Sequence, residues 1–91
     1  MARICGFAED FEASLGKLDR QPRDQALKTI QKFEMKDTLP GLRLEKLGGH
    51  ANLWSIRVND SYRILMSKHL DAAGDFWVLE NIGTHDVYRR R

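Results

Sequence analysis

Cysteine is almost absent from this chain. The single thiol, Cys5, excludes an internal disulfide and matches no zinc-ligand spacing, so no metal is expected. Proline occurs only at Pro22 and Pro40, which leaves most of the chain open to helix or strand. No apolar run approaches the ~20 residues that span a bilayer, and the opening residues lack the long apolar centre of a signal peptide. A membrane partner is therefore not expected, and the expected compartment is the cytoplasm. Charge of one sign is also lacking: fifteen Lys and Arg against thirteen Asp and Glu leave a net charge of +2. Residues 1–40 carry seven basic and seven acidic side chains and residues 41–91 carry eight and six, so the excess lies in the second half. Arg89, Arg90 and Arg91 supply much of it. Such a balance permits a nucleic-acid partner without demanding one, and a solvated basic tail accounts for it equally well.

What is present is an ordinary globular composition, with 42% apolar and 31% charged residues in 91. Residues 1–91 read as a single domain with one modest core. A chain of this size buries roughly 60–70% of its unfolded surface, which leaves no room for a separate cofactor domain, and no cofactor is expected.

The hydrophobic period changes once, near Pro40-Gly41. Before it the spacing is helical. Phe11, Leu15 and Leu18 recur at i, i+4 and i+7, with Ala8 a turn earlier, so residues 8–18 read as a short amphipathic helix. Asp19 and Pro22 interrupt that pattern, and a second helix is expected over about 22–36, with Leu27, Ile30 and Phe33 on one stripe. Residues 2–7 are compatible with a short strand. After Gly41 the period becomes two. Leu42 and Leu44 alternate with Arg43 and Glu45, Trp54, Ile56 and Val58 with Ser55 and Arg57, and Tyr62, Ile64 and Met66 with Arg63 and Leu65. Residues 75–82 are mostly apolar on both faces, through Phe76, Trp77, Val78 and Leu79, as in a central strand. The expected fold class is α+β: an N-terminal helical hairpin packed on one face of a small antiparallel β-sheet of about four strands. Trp54 and Trp77 read as core residues.

Register follows from the alternation. A two-residue loop after Val58 would set Ile56 against Arg63, whereas a three-residue loop, Asn59-Asp60-Ser61, pairs Val58 with Tyr62, Ile56 with Ile64 and Trp54 with Met66. The second choice keeps the apolar side chains together. It also sets Arg57 directly opposite Arg63 on the face away from the helices, where like charges repel. Such a pair either splays into water or holds an anion between its two members.

That face is expected to carry Arg43 and Glu45 too, and His85 and Tyr88 follow the last strand. Two planar guanidinium forks suit a phosphodiester. Glu45 can accept a proton, His85 can donate one near neutrality, and Tyr88 can stack on a base. In RNA the neighbouring 2′-OH is itself the nucleophile, so cleavage needs a base, an acid and positive charge rather than a metal. Each residue has a plainer reading as well. Glu45-Lys46 makes a charged edge, Arg57 and Arg63 make a solvent face, and His85 and Tyr88 pack a terminal turn.

The stretch Gly41-Leu-Arg-Leu-Glu-Lys-Leu-Gly48, then Leu53-Trp-Ser-Ile-Arg-Val-Asn59 and Tyr62-Arg-Ile-Leu65, resembles the RelE/ParE superfamily of bacterial toxin–antitoxin toxins. The helical hairpin and the closing Gly83-Thr-His-Asp-Val-Tyr88 match in order and spacing, so the likeness covers nearly the whole chain. The resemblance implies a RelE-like α+β fold and a cognate antitoxin partner. RelE-like members are described as ribosome-dependent mRNA endoribonucleases that inhibit translation. ParE-like members poison DNA gyrase on the same fold. The RelE-like branch would put catalytic roles on Arg63, Glu45 as general base and His85 as general acid. Arg57, Arg43, Lys46 and Tyr88 would bind substrate. Of the paired lysines found in some members only Lys46 has a counterpart, and its strand parity turns it toward the core side. The expected function is thus metal-independent mRNA cleavage, with a gyrase poison or a non-catalytic interaction module of the same fold as alternatives.

Overall fold

The computed structural model describes residues 2–35, 40–48 and 52–84. A first strand, β1 (Ile4–Phe7), leads into two helices, α1 (Glu9–Lys17) and α2 (Arg20–Met35). A single 3₁₀ turn, Pro40–Leu42, precedes β2 (Glu45–Lys46), β3 (Leu53–Arg57), β4 (Arg63–Asp71) and β5 (Gly74–Gly83). The five strands form one sheet in the order β1-β5-β4-β3-β2. All neighbours are antiparallel except β1, which adds to the edge of β5 in parallel. The expected α+β layout is present. The sheet has one strand more than expected, because residues 4–7 find open backbone partners along β5.

Local chemistry explains the helix limits. Glu9, Asp10 and Glu12 sit in the first turn of α1 and Lys17 in its last, each complementing the helix dipole. Leu18 closes the helix with its N–H on the Leu15 carbonyl. The second helix starts two residues before the expected Pro22: Arg23 N–H reaches the Asp19 carbonyl, and Pro22 lies within the first turn, where no N–H is required. Its expected end at Lys36 lies outside the described residues. The buried stripe of α2 is Ala26, Thr29, Ile30 and Phe33, and Leu27 is 46% exposed. Leu27 and Phe33 are six residues apart, which sets them about 120° apart around the helix axis at 3.6 residues per turn, so Leu27 falls beyond the edge of the buried stripe. Thr29 satisfies its buried hydroxyl on the Gln25 carbonyl one turn back.

The register of β3 and β4 agrees with the alternation. Trp54 faces Met66, Ile56 faces Ile64 and Arg57 faces Arg63. Val58 donates its N–H to the Tyr62 carbonyl, and the Asn59 side-chain oxygen accepts from the N–H groups of Ser61 and Tyr62. Asn59 also bonds Gln25, which fastens this loop to α2. The core lies between the helices and one sheet face. It joins Phe11, Ala26, Ile30 and Phe33 to Leu42, Ile56, Ile64, Met66, Trp77, Leu79 and Ile82. Trp77, 4% exposed, meets Phe33 and Trp54 edge to face, while Trp54 is only partly buried at the rim. Lys68 closes this end by lying over both indoles.

Across β4 and β5 the pairing shifts by one residue. Leu65 faces Asn81 and Met66 faces Leu79, leaving Glu80 without an opposite residue. This is a β-bulge, a device that re-aims a side chain. At the far end of the hairpin Arg3 donates to Asp71 and to the Gly74 carbonyl, tying β1 to the β4–β5 turn. The Arg3 hydrogen bond holds the Asp71 carboxyl below its usual range, with the Ala73 N–H helping and partial desolvation opposing.

Two outcomes follow. Trp77→Ala should cost about 3–5 kcal/mol, the usual loss for a large aromatic removed from a core, as read by chemical or thermal unfolding. Asp71→Asn should melt below the wild type at neutral pH. Because the folded-state pKa is lowered, the Asp71 contribution is whole above the ordinary aspartate value of about 3.9 and disappears as pH falls through the lower one. Melting curves from neutral pH to strong acid should therefore converge.

Candidate active site

Ile56 and Ile64 point into the core, so the alternate residues of β3 and β4 form the opposite face. Arg57 and Arg63 stand opposite one another there. One row further along, Glu45 on β2 faces Ser55, and Ser55 faces Leu65. Glu45 therefore shares the arginine face, displaced by two residues of strand, about 7 Å. Although this face lies away from the helices, Ser55 (2% exposed) and Leu65 (0%) are shielded from water.

The two arginines resolve their repulsion differently. Arg57 swings toward the loop, where its guanidinium pairs with Asp60 and its Nε donates to the Asn59 carbonyl. Arg63 has no such counter-ion among the described residues. Its Nη1 is buried and makes no hydrogen bond, the only buried side-chain nitrogen or oxygen among the described residues left so. A buried donor without a partner costs on the order of 1–3 kcal/mol, and a native protein that keeps one has a reason. An anion at this spot would supply the acceptor and neutralise the pair.

The other candidates are placed as follows. Arg43 is exposed and lies before β2, not in it, with a left-handed backbone (φ 48°). The expected strand alternation over residues 42–45 does not exist there, because Leu42 belongs to the 3₁₀ turn; register therefore does not bring Arg43 onto the arginine face. Lys46 faces Trp54 and has the parity of the helix side, as its alternation implied. His85 and Tyr88 lie outside the described residues. Gly83, two residues before His85 in sequence, is the partner of Arg63. No group of three or more His, Cys, Asp and Glu that could hold a metal ion occurs among the described residues.

Two features escaped the sequence reading. Asp60, three residues after Arg57 across a tight loop, was a visible counter-ion. The second feature is the Glu80 carboxylate on the Ser67 hydroxyl, which also contacts His69, beside a bulge that has no sequence signal.

With this geometry in view, similarity to solved structures decides the fold. A YoeB/ParE toxin from Agrobacterium tumefaciens superposes with a TM-score of 0.70 at 15% identity, over 93% of this chain and 99% of that one. The archaeal RelE–RelB complex from Pyrococcus horikoshii gives 0.69 at 16%, over 96% and 99%. The chain has the RelE-like toxin fold. The Escherichia coli DinJ–YafQ toxin–antitoxin complex agrees, at 0.68 and 16% identity over 97% and 98%. No family model matches the chain, and no curated protein matches it in sequence. At such low identity the RelE-like likeness speaks for the fold alone.

If Arg63 is an open anion site, not a structural arginine, removing its charge should not weaken the fold. Arg63→Met is expected to melt at or above the wild type, while Arg57→Met, which breaks the Asp60 pair, should lose up to about 1 kcal/mol. Thermal denaturation of the two variants separates the cases.

Proposed function

We propose that this protein is the toxin of a toxin–antitoxin pair and acts in the cytoplasm as a metal-independent mRNA endoribonuclease. The observation that carries the reading is the buried Nη1 of Arg63, without a partner among the described residues and opposite Arg57, a guanidinium pair with one member prepared for a phosphate oxygen. The RelE-like fold supports it. In this mechanism Glu45 removes the proton of the 2′-OH, and the oxygen attacks the adjacent phosphorus. Arg63 and Arg57 stabilise the charge that builds on the non-bridging oxygens. As the bond from phosphorus to the 5′-oxygen breaks, His85 gives that oxygen its proton, leaving a 2′,3′-cyclic phosphate and a 5′-hydroxyl. Tyr88 stacks on a neighbouring base. The Arg57–Asp60 bond is exposed at the carboxylate end, so a phosphate displaces it at little cost.

A cognate antitoxin is part of the proposal. Several solved neighbours are toxin–antitoxin complexes, and an antitoxin covering the arginine face would hold the toxin inactive. The ribosome, in a ribosome-dependent reaction, would present the mRNA.

Induced expression with primer extension on cellular mRNA tests this. Wild type should arrest growth and cut mRNA. Arg63→Ala should lower cleavage about 10²–10³-fold, the loss expected for one preorganised donor. Glu45→Gln and His85→Ala should each cost about 10²–10⁴-fold, the range for a general base or acid. Arrest with DNA breaks and intact mRNA, insensitive to Glu45 and His85, would instead identify a gyrase poison, the alternative that the YoeB/ParE neighbour keeps in view.

A further inference from the structure

The same sheet face continues past Leu65 to the far end of β4, and its chemistry changes there. Ser67, 4% exposed, donates its hydroxyl to Glu80 Oε2 at 2.6 Å and lies 2.8 Å from Nε2 of His69. Glu80 is the bulged residue of β5 and lies two residues from Val78, the partner of Ser67, so its carboxylate shares the Ser67 face. Beyond Ser67, His69 is exposed and stands opposite Phe76, with the two rings stacked at 5.2 Å and 24°. The Arg3 guanidinium lies over Phe76 at 5.4 Å. An exposed imidazole would ordinarily be free to rotate. This one is held at its edge by the buried Ser67 hydroxyl, itself bonded to the partly buried Glu80, and on its face by a phenyl ring.

The cations around it are already engaged. Arg3 pairs with Asp71 and Lys68 with Asp75, while Glu80 accepts from the neutral Ser67 hydroxyl and keeps its negative charge. A surface that is aromatic, rigid and has its Arg3 and Lys68 cations already paired suits a nucleobase, not a phosphate. Stacking on such a ring is tolerant of sequence and contributes on the scale of 1–3 kcal/mol per base. His69 lies six residues beyond Arg63 on the same strand and face, about 20 Å at ~3.3 Å per residue. At about 3.4 Å per stacked nucleotide, a single strand of roughly six nucleotides, fewer if extended, reaches from one to the other.

We propose that His69 and Phe76 form a base-stacking platform, a second contact for the RNA strand whose phosphate lies at Arg63; this rests on reading the Arg57–Arg63 face as a phosphate site. The platform holds a distant base of the strand, adding affinity and direction without taking part in cleavage.

Fluorescence anisotropy with two probes tests it: a 2′-O-methyl RNA decamer, which lacks the nucleophilic hydroxyl, and a 2′-O-methyl dinucleotide, which is too short to reach both places. Wild type should bind the decamer more tightly. His69→Ala and Phe76→Leu should each weaken decamer binding about tenfold to a hundredfold, the equivalent of one lost stack, and leave the dinucleotide unchanged. His69→Tyr, which restores a ring, should recover most of the loss. If His69→Ala and Phe76→Leu bind the decamer as wild type does, the platform is wrong and the ring pair serves the hairpin or a protein partner; the phosphate reading survives. If wild type binds neither probe, the phosphate reading fails and the platform with it.

Discussion

Ile56 opposite Ile64 is the pairing on which the other features depend. A strand alternates its side chains with a period of two, so this single match decides which residues of β3 and β4 enter the core and which face away. It requires the three-residue loop Asn59-Asp60-Ser61, and it sets Arg57 against Arg63. The balance of energies favours it clearly. Burying an isoleucine is worth about 1.5–3 kcal/mol, and several apolar side chains are aligned at once. A like-charged cross-strand pair works against the sheet by a fraction of that, roughly 0.2–1 kcal/mol. Hydrophobic alignment wins, and the arginine pair is what it leaves on the other face.

The repulsion is then relieved on one side only. Arg57 has a counter-ion three residues away in its own loop, together with the Asn59 carbonyl. Arg63 stands opposite Gly83 on β5, which offers no side chain, and its Nη1 stays enclosed without an acceptor among the described residues. A site that is locally unfavourable when empty is the expected mark of a place built for a ligand. The same sheet supplies stability elsewhere, in the Phe33–Trp77–Trp54 cluster and the Lys68 side chain across it.

Backbone irregularities then shape what the regular pairing leaves. The shift between Leu65 and Met66 costs one ladder position and leaves Glu80, bonded to Ser67, without an opposite residue. The left-handed Arg43 carries the chain from the 3₁₀ turn into a strand only two residues long. Parity arguments hold for Glu45 and Lys46, which are inside that strand, and fail for Arg43, which is not.

The amino-acid sequence by itself determined the two helices, the strand succession, the register of β3 on β4 and the meeting of Arg57 with Arg63. All of these follow from hydrophobic periodicity and loop length, which are local and repeat along the chain. Its likeness to the RelE/ParE toxins anticipated the fold. The tertiary structure alone decided that β1 joins β5 in parallel, that Arg63 keeps a nitrogen with no acceptor among the described residues, and that Glu80, Ser67, His69 and Phe76 meet. Parallel pairing, bulges and counter-ion choice depend on which distant backbone and side-chain groups arrive at the same place, and no period along the chain records that.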